Sequence, residues 1–232
     1  MDAGRCKVAA FDSFAEKYDL WFDTPLGKYV ADTEKRLTLA IANPQKGEKM
    51  LDVGIGTGFF ALEFLKRGAE ITGIDVSPNM LDVARRKGFN NVALGDAVAL
   101  DFADETFDLI VSITALEFIR EPRKAVSEMA RVCKKGGRVV VGTLGGSSWW
   151  AAKRRRELKT NPASIFHDAH FYTFAELRAI CAGIGKNTTL AGAVFAPPFD
   201  NALSVLAGKL IEQPCQLLCP GRGAYLAFRI DK

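Results

Sequence analysis

Asp52-Val53-Gly54-Ile55-Gly56-Thr57-Gly58 closes a short apolar run, Lys49–Val53. Glycines have no Cβ, so the chain can turn sharply and its backbone can approach a ligand closely. A helix start follows, which favours an anionic group. The spacing is D-x-G-x-G-x-G. A dinucleotide turn, G-x-G-x-x-G, would need glycine where Phe59 stands, and the phosphate loop G-x-x-x-x-G-K-[ST] is absent. A turn made only for packing would look the same in isolation. Two further acids change the reading. Asp75 ends the run Glu70–Asp75, where a carboxylate can accept both hydroxyls of a ribose, or merely lead into a helix at Ser77. Asp96, in Gly95-Asp96-Ala97, can accept from an exocyclic adenine amine while the Ala97 amide reads the ring edge, or it can serve a plain turn. Three acids and a glycine turn at the ends of three successive strands are not explained by turns alone.

These residues need elements to position them. Lys49–Val53, Glu70–Asp75, Asn91–Gly95, Phe107–Ile113 and Arg138–Leu144 read as strands. Phe107–Ile113 is nearly all apolar, as a strand covered on both faces should be. Phe59–Arg67, Ser77 to Lys87, and Glu121–Lys135 before Gly136-Gly137 read as helices; Ser77 is a good N-cap and Pro78 suits the first turn. Such alternation predicts an α/β fold with ligands outside the carboxyl ends of the strands. Thr173–Gly183 reads as a later helix, with Glu176 three residues after its cap. Asn187–Phe195 and Ala224–Ile230 read as late strands, with the turn Pro220–Gly223 before the second, forming a hairpin at the sheet edge. The expected architecture is a three-layer Rossmann-like sheet of about seven strands, mostly parallel with one antiparallel late strand. One domain, 1–232, is expected, with an N-terminal lid (1–48), a core (49–144), an insertion (145–172) and a C-terminal helix with late strands (173–232).

Of 232 residues, 48% are hydrophobic and 25% charged, which excludes a disordered chain. Net charge is +4, from 31 basic and 27 acidic residues, too balanced to argue for nucleic acid. The five cysteines, Cys6, Cys133, Cys181, Cys215 and Cys219, are odd in number and irregular in spacing, as reduced thiols are. Neither of the two histidines lies near Cys215 and Cys219, so zinc is a weak reading and no metal is expected. No run is long enough to span a membrane, and Met1–Arg5 lacks the apolar core of a signal peptide, so the cytoplasm is the expected location.

From about Phe11 to Gly142 the sequence resembles the class I S-adenosylmethionine-dependent methyltransferases. Leu51–Phe60 is similar to the first motif of that family, Ile71–Met80 to its second, and Gly95-Asp96-Ala97 to its adenine-reading turn. Phe107–Ile119 resembles the fourth-strand motif and Arg131–Gly137 the run before strand five. Within that run Cys133 stands for the usual Leu and Lys135 for the usual Pro. Phe11–Asp19 resembles the lid of the small-molecule branch that includes the ubiquinone and menaquinone C-methyltransferases. The resemblance implies S-adenosylmethionine as cofactor. It implies that Gly54 and Gly56 hold the methionine part, with Asp52 orienting its amine. Asp75 would bind the ribose, Val76 and Met80 would pack on the adenine, and Asp96 and Ala97 would read its edge. Thr114 would offer backbone to the methionine end, and Tyr18 would close over the cofactor.

Methyl transfer needs position and a water-poor site, and with oxygen or carbon acceptors also a base. Candidate bases follow strand five: His167, Asp168, His170 and Tyr172, each equally able to serve structure. His170 is the preferred catalytic candidate, since it lies close before the helix at Thr173. Trp149, Trp150, Phe166, Phe171 and Phe174 could line an apolar acceptor or cap the sheet. Lys153–Arg156 with Lys159 reads as a solvated helix face, or as a contact for an acidic substrate or RNA. The expected partner is a small-molecule methyl acceptor. The alternatives are an RNA or protein methyltransferase, separable by whether Lys153–Lys159 faces the site, and a non-catalytic binding module, separable by turnover. Acceptor atom and oligomeric state are not written in the sequence.

Overall fold

The computed structural model describes residues 11–162 and 164–232, without the side chain of Asn187. Cys6 and Met1–Arg5 lie outside the described residues. Seven strands form one sheet: β1 (Lys49–Val53), β2 (Glu70–Asp75), β3 (Val92–Leu94), β4 (Phe107–Ile113), β5 (Cys133–Leu144), β6 (Asn187–Ala193) and β7 (Tyr225–Asp231). Their order is β3-β2-β1-β4-β5-β7-β6. Strand β7 runs antiparallel to both its neighbours, and the β1–β5 pairings are parallel. The order reverses between β1 and β4, which leaves a crevice at their carboxyl ends.

Strand β4 is buried on both faces. Ile110 joins one core with Leu51, Val139 and Phe228, covered by α4 (Pro122–Val132) and α6 (Phe174–Cys181). Leu109 and Val111 join the other with Met50, Val140 and Tyr225, covered by α1 (Pro25–Ala42). A register shift between Phe107 and Leu109 places these two residues on opposite faces despite their spacing of two. The remaining helices are α2 (Ala61–Leu65), α3 (Pro78–Arg86), α5 (Trp149–Glu157) and α7 (Ala202–Leu218). Ser77 caps α3 by accepting the Met80 amide, and Thr173 with Glu176 closes a capping box on α6.

Two local expectations are corrected. Helix α4 stops at Val132, and the Gly136-Gly137 pair lies inside β5, because Cys133 already pairs with Phe107 and the Gly136 amide donates to the Lys232 carbonyl. The late strands are not joined by a hairpin turn: α7 stands between them. Leu203, Leu206, Leu210, Leu217 and Leu218 of α7 are exposed and Pro214 is internal to it, so the segment lacks the usual helical signature. At the amino ends of the strands, Arg138 makes a two-pronged bond to Glu48 at 2.8 Å and also donates to the carbonyls of Ala42 and Asn43.

Candidate functional site

The turn after β1 is built on glycines at positive φ: 82° at Gly54, 54° at Gly56 and 77° at Gly58. A Cβ at Gly54 would lie 2.5 Å from that of Ala115, whereas one at Gly56 would meet nothing within 4 Å. Gly54 is thus constrained by packing, and Gly56 borders open space. The Asp75 carboxylate fixes this turn. Its Oδ2 accepts the Gly56 amide at 2.8 Å and its Oδ1 the Ser77 amide at 2.9 Å. Burial raises the Asp75 pKa, against the pull of those amides. Asp52 is buried beside it, and burial together with the Asp75 charge pushes its pKa up to about 8. Asp96 is exposed and accepts the Val98 amide at 3.1 Å, while Ala97 is buried. Val76 is exposed; Met80 is buried with Ala15 and Val83, and Tyr18 packs against them.

The N-terminal segment lies across these turns. Its 3-10 stretch, Ala15–Asp23, is fastened by Thr57 Oγ1 donating to Asp19 at 2.8 Å and by ion pairs Lys87–Asp19 and Arg86–Glu16. Ser77 donates its hydroxyl to Asp12. Phe22 stacks on Phe59 with ring centres 3.9 Å apart, and Trp21 meets the edge of Trp150 at 6.3 Å. The Tyr18 hydroxyl lies near the Thr114 side chain, and burial pushes its pKa up to about 12. Thr114 has φ 52°, a strained conformation for a β-branched residue, held by its amide donating to the Gly142 carbonyl at 2.8 Å.

Beyond Thr114 the structure gathers charges that the sequence reading did not single out. Glu117, in the single turn Leu116–Phe118, is 2% exposed. Its Oε2 accepts from Thr143 Oγ1 at 2.9 Å, and its Oε1 has no partner. Glu34 of α1 is 6% exposed, and it feels the charge of Glu117. Burial pushes Glu34 up to about 8 and Glu117 up to about 7. Arg154 of α5 feels both, with its guanidinium over the Phe166 ring at 4.5 Å. Lys153, Arg155, Arg156 and Lys159 are exposed, so the basic run is a solvated face except at Arg154. The available signal for Glu117 was its place as an acid near the end of the largely apolar run Phe107–Ile119, whose other acid, Asp108, stands at its start.

The candidate bases sit differently. His170 is exposed, with Nε2 2.9 Å from Glu176 Oε1; its backbone amide donates to the Glu117 carbonyl at 2.8 Å. His167 is exposed, with Nε2 2.8 Å from the Asn161 carbonyl, and Asp168 is exposed. Tyr172 is buried with its hydroxyl 3.4 Å from the Leu116 carbonyl. Two surface hollows, of about 510 and 590 Å³, lie away from the turns that follow β1, β2 and β3, against Asp32 and Glu63 and against Phe174 and Lys186. Among the described residues no helix is long and apolar enough to cross a membrane.

The site fits an adenosyl-amino acid: a buried carboxylate suited to an ammonium, an open glycine turn, and a second carboxylate at the neighbouring strand end. Residues 51–141 match the family described as "Methyltransferase domain". An uncharacterised protein of Methanocaldococcus jannaschii is 31% identical over 186 residues, 80% of this chain and 85% of that one. The demethylmenaquinone methyltransferase of Renibacterium salmoninarum is 37% identical over 135 residues, 58% of this chain and 56% of that one. A solved structure from Thermotoga maritima, described as an S-adenosylmethionine-dependent methyltransferase and possible histamine N-methyltransferase, superposes with TM-score 0.74 at 24% identity, covering 97% of this chain and all (100%) of that one. The chain belongs to the class I S-adenosylmethionine-dependent methyltransferases.

Proposed function

We propose that the protein methylates a small molecule in the cytoplasm. The observation that carries this reading is the closure of the site: the Trp21–Trp150 and Phe11–Phe118 ring contacts join the N-terminal segment to the far side of the crevice. A site enclosed in this way suits a small acceptor better than a polymer strand. The basic run of α5 favours the same reading, since Arg154 lies over the Phe166 ring and feels the charges of Glu34 and Glu117 rather than facing out across an open surface. The demethylmenaquinone methyltransferase relative carries a small acceptor in its name. The free thiols of Cys133, Cys181, Cys215 and Cys219 suit a reducing compartment.

The bound cofactor supplies a methyl group already activated by its sulfonium. In our reading Asp52 takes the cofactor's ammonium, and the backbone at Gly54 and Gly56 takes its methionine part. Asp75 takes the ribose through lone pairs left over from its two amide bonds. Val76 and Met80 flank the adenine, Asp96 and the Ala97 amide read its edge, and Thr114 borders the methionine end. Tyr18 covers the site, and His170 ties the loop before α6 to the Glu117 turn through its backbone amide. Titration calorimetry with S-adenosylhomocysteine and with NAD tests the site. Binding of the former alone supports the reading; NAD binding with no response to S-adenosylhomocysteine overturns it.

A further inference from the structure

We propose that the methyl acceptor is a cationic amine, held between the carboxylates of Glu34 and Glu117, with Glu117 Oε1 taking the proton that the nitrogen must lose. This rests on the methyl-transfer reading above and names the acceptor class for that same site.

The unpartnered Glu117 oxygen is the first observation. Thr143 satisfies Oε2 at 2.9 Å, and Oε1 is sealed from water and makes no hydrogen bond, although the backbone amides of Glu117 and Leu144 act on the carboxylate. Buried acceptors in native proteins are almost always satisfied, so an orphan at a site marks where a ligand brings the donor. Glu34 is the second. It comes from a different element, α1, and is also buried; Thr38, one turn further along, lies 2.6 Å from the hydroxyl of Tyr225, which pairs with Leu144 beside Thr143, and the charge of Glu117 helps raise the Glu34 pKa. Two buried like charges raise each other's cost of ionisation, and a cation placed between them relieves both. Their own surroundings do not supply that cation in full. Arg154 is the basic group whose charge reaches both, and among the described residues it closes no ion pair with either. Its guanidinium lies instead over Phe166, and 5.6 Å from the Trp150 ring centre. Among the described residues, the other titratable groups facing the pair are the hydroxyls of Tyr18, Tyr172 and Tyr225, which are neutral and whose pKa values burial raises further. With both carboxylates ionised, two negative charges face one positive charge, and an added ammonium balances the set. The third observation is the position. The Thr114 amide donates to the Gly142 carbonyl at 2.8 Å, and the next residue, Thr143, donates to Glu117, so the acidic pair lies next to Thr114 at the methionine end of the proposed cofactor site.

The chemistry balances. An ammonium has no free pair, so it first gives a proton to Glu117 Oε1. The freed nitrogen pair then forms the N–CH₃ bond as the S–CH₃ bond breaks, its electrons remaining on sulfur. The product is a methylated ammonium and a neutral thioether, and the proton on Glu117 returns to water. A carboxyl group whose pKa sits close to working pH suits that exchange.

The test uses the full chain saturated with S-adenosylhomocysteine. Methylamine, ethanolamine and 2-phenylethylamine are titrated by calorimetry, beside 2-phenylethanol and phenylacetate as neutral and anionic counterparts. At least one amine is expected to bind, more tightly than 2-phenylethanol and phenylacetate. Its affinity should fall tenfold or more in Glu117→Gln and in Glu34→Gln, while S-adenosylhomocysteine affinity and melting temperature stay near the parent values. Tighter binding of phenylacetate, no binding by any of the three amines, or amine binding that survives both substitutions would overturn the proposal. Failure of S-adenosylhomocysteine to bind the parent would instead overturn the underlying methyl-transfer reading.

Discussion

Oδ2 of Asp75 accepts the amide of Gly56 at 2.8 Å, so the end of β2 shapes the turn that follows β1. Asp75→Ala should therefore act twice. Losing a charge-assisted bond to a ribose costs about 1.5–3 kcal/mol, roughly tenfold to a hundredfold in S-adenosylhomocysteine affinity. The freed Gly56 and Ser77 amides should add a smaller loss of melting temperature. Calorimetry and thermal melting on the same variant separate the two. Unchanged affinity would leave Asp75 with the turn alone.

Arg138 and Glu48 sit at the opposite ends of the strands, and their substitution should affect the fold without affecting the ligand. Arg138→Met takes the guanidinium from a largely buried Glu48 carboxylate and from the carbonyls of Ala42 and Asn43, with Gln45 left as a donor to Glu48 and Asn43. Breaking a buried pair on one side costs about 3–5 kcal/mol. Urea unfolding should show a loss of that order, while the affinity of whatever protein remains folded stays near that of the parent. A loss under about 1 kcal/mol would mean that water replaces the guanidinium without difficulty.

The ligand-free protein should lose stability as pH rises from about 5 to about 8.5. Asp52, Glu34 and Glu117 all have folded pKa values raised above the ordinary carboxylate range, to about 8, about 8 and about 7. Between those two limits the folded chain binds more protons than the unfolded chain, so the slope of stability with pH is negative, up to about 1.4 kcal/mol per unit for each group. Glu48, Glu63, Asp108, Glu128 and Glu176 have lowered values, and their contribution is lost only as pH falls below the ordinary carboxylate range. Melting curves across this window check the sign. Asp52→Asn should flatten the descent, and so should saturating S-adenosylhomocysteine if its ammonium keeps Asp52 charged.

Hydrogen exchange should report closure on both sides of the crevice. With S-adenosylhomocysteine and an acceptor present, amides before Lys49 and between Gly145 and Tyr172 should slow, since Trp21 and Trp150 join these segments edge to face. Protection confined to the turns from Asp52 to Asp96 would show that neither segment responds to the acceptor.

The turns proposed to hold the cofactor were legible because their chemistry is local. Asp52, Gly54, Gly56, Asp75 and Asp96 each follow a short apolar run, and a parallel sheet brings all such run ends to one edge. Glu34 and Glu117 carry no such mark. One lies on a helix, the other in a single turn, and only the packing of α1 over β4 and β5 brings them together. Arg154 was hidden by its neighbours, which are charged and exposed as a solvated face should be. His170 shows the limit of reasoning from proximity. Its backbone does reach the Glu117 turn, while its imidazole turns out to Glu176, the same residue that completes the α6 cap.

Strand β7 lies between β5 and β6, although it is made after both. Until residues 225–231 leave the ribosome, β6 has no partner in the sheet and β5 keeps an unpaired edge along Val139 and Val141. The nascent chain must carry that open edge through the synthesis of α7, a period in which it is prone to pairing with other chains. Any cleavage or premature stop before Tyr225 would prolong that exposure indefinitely, so a truncated product should aggregate or be degraded rather than persist as a smaller folded protein.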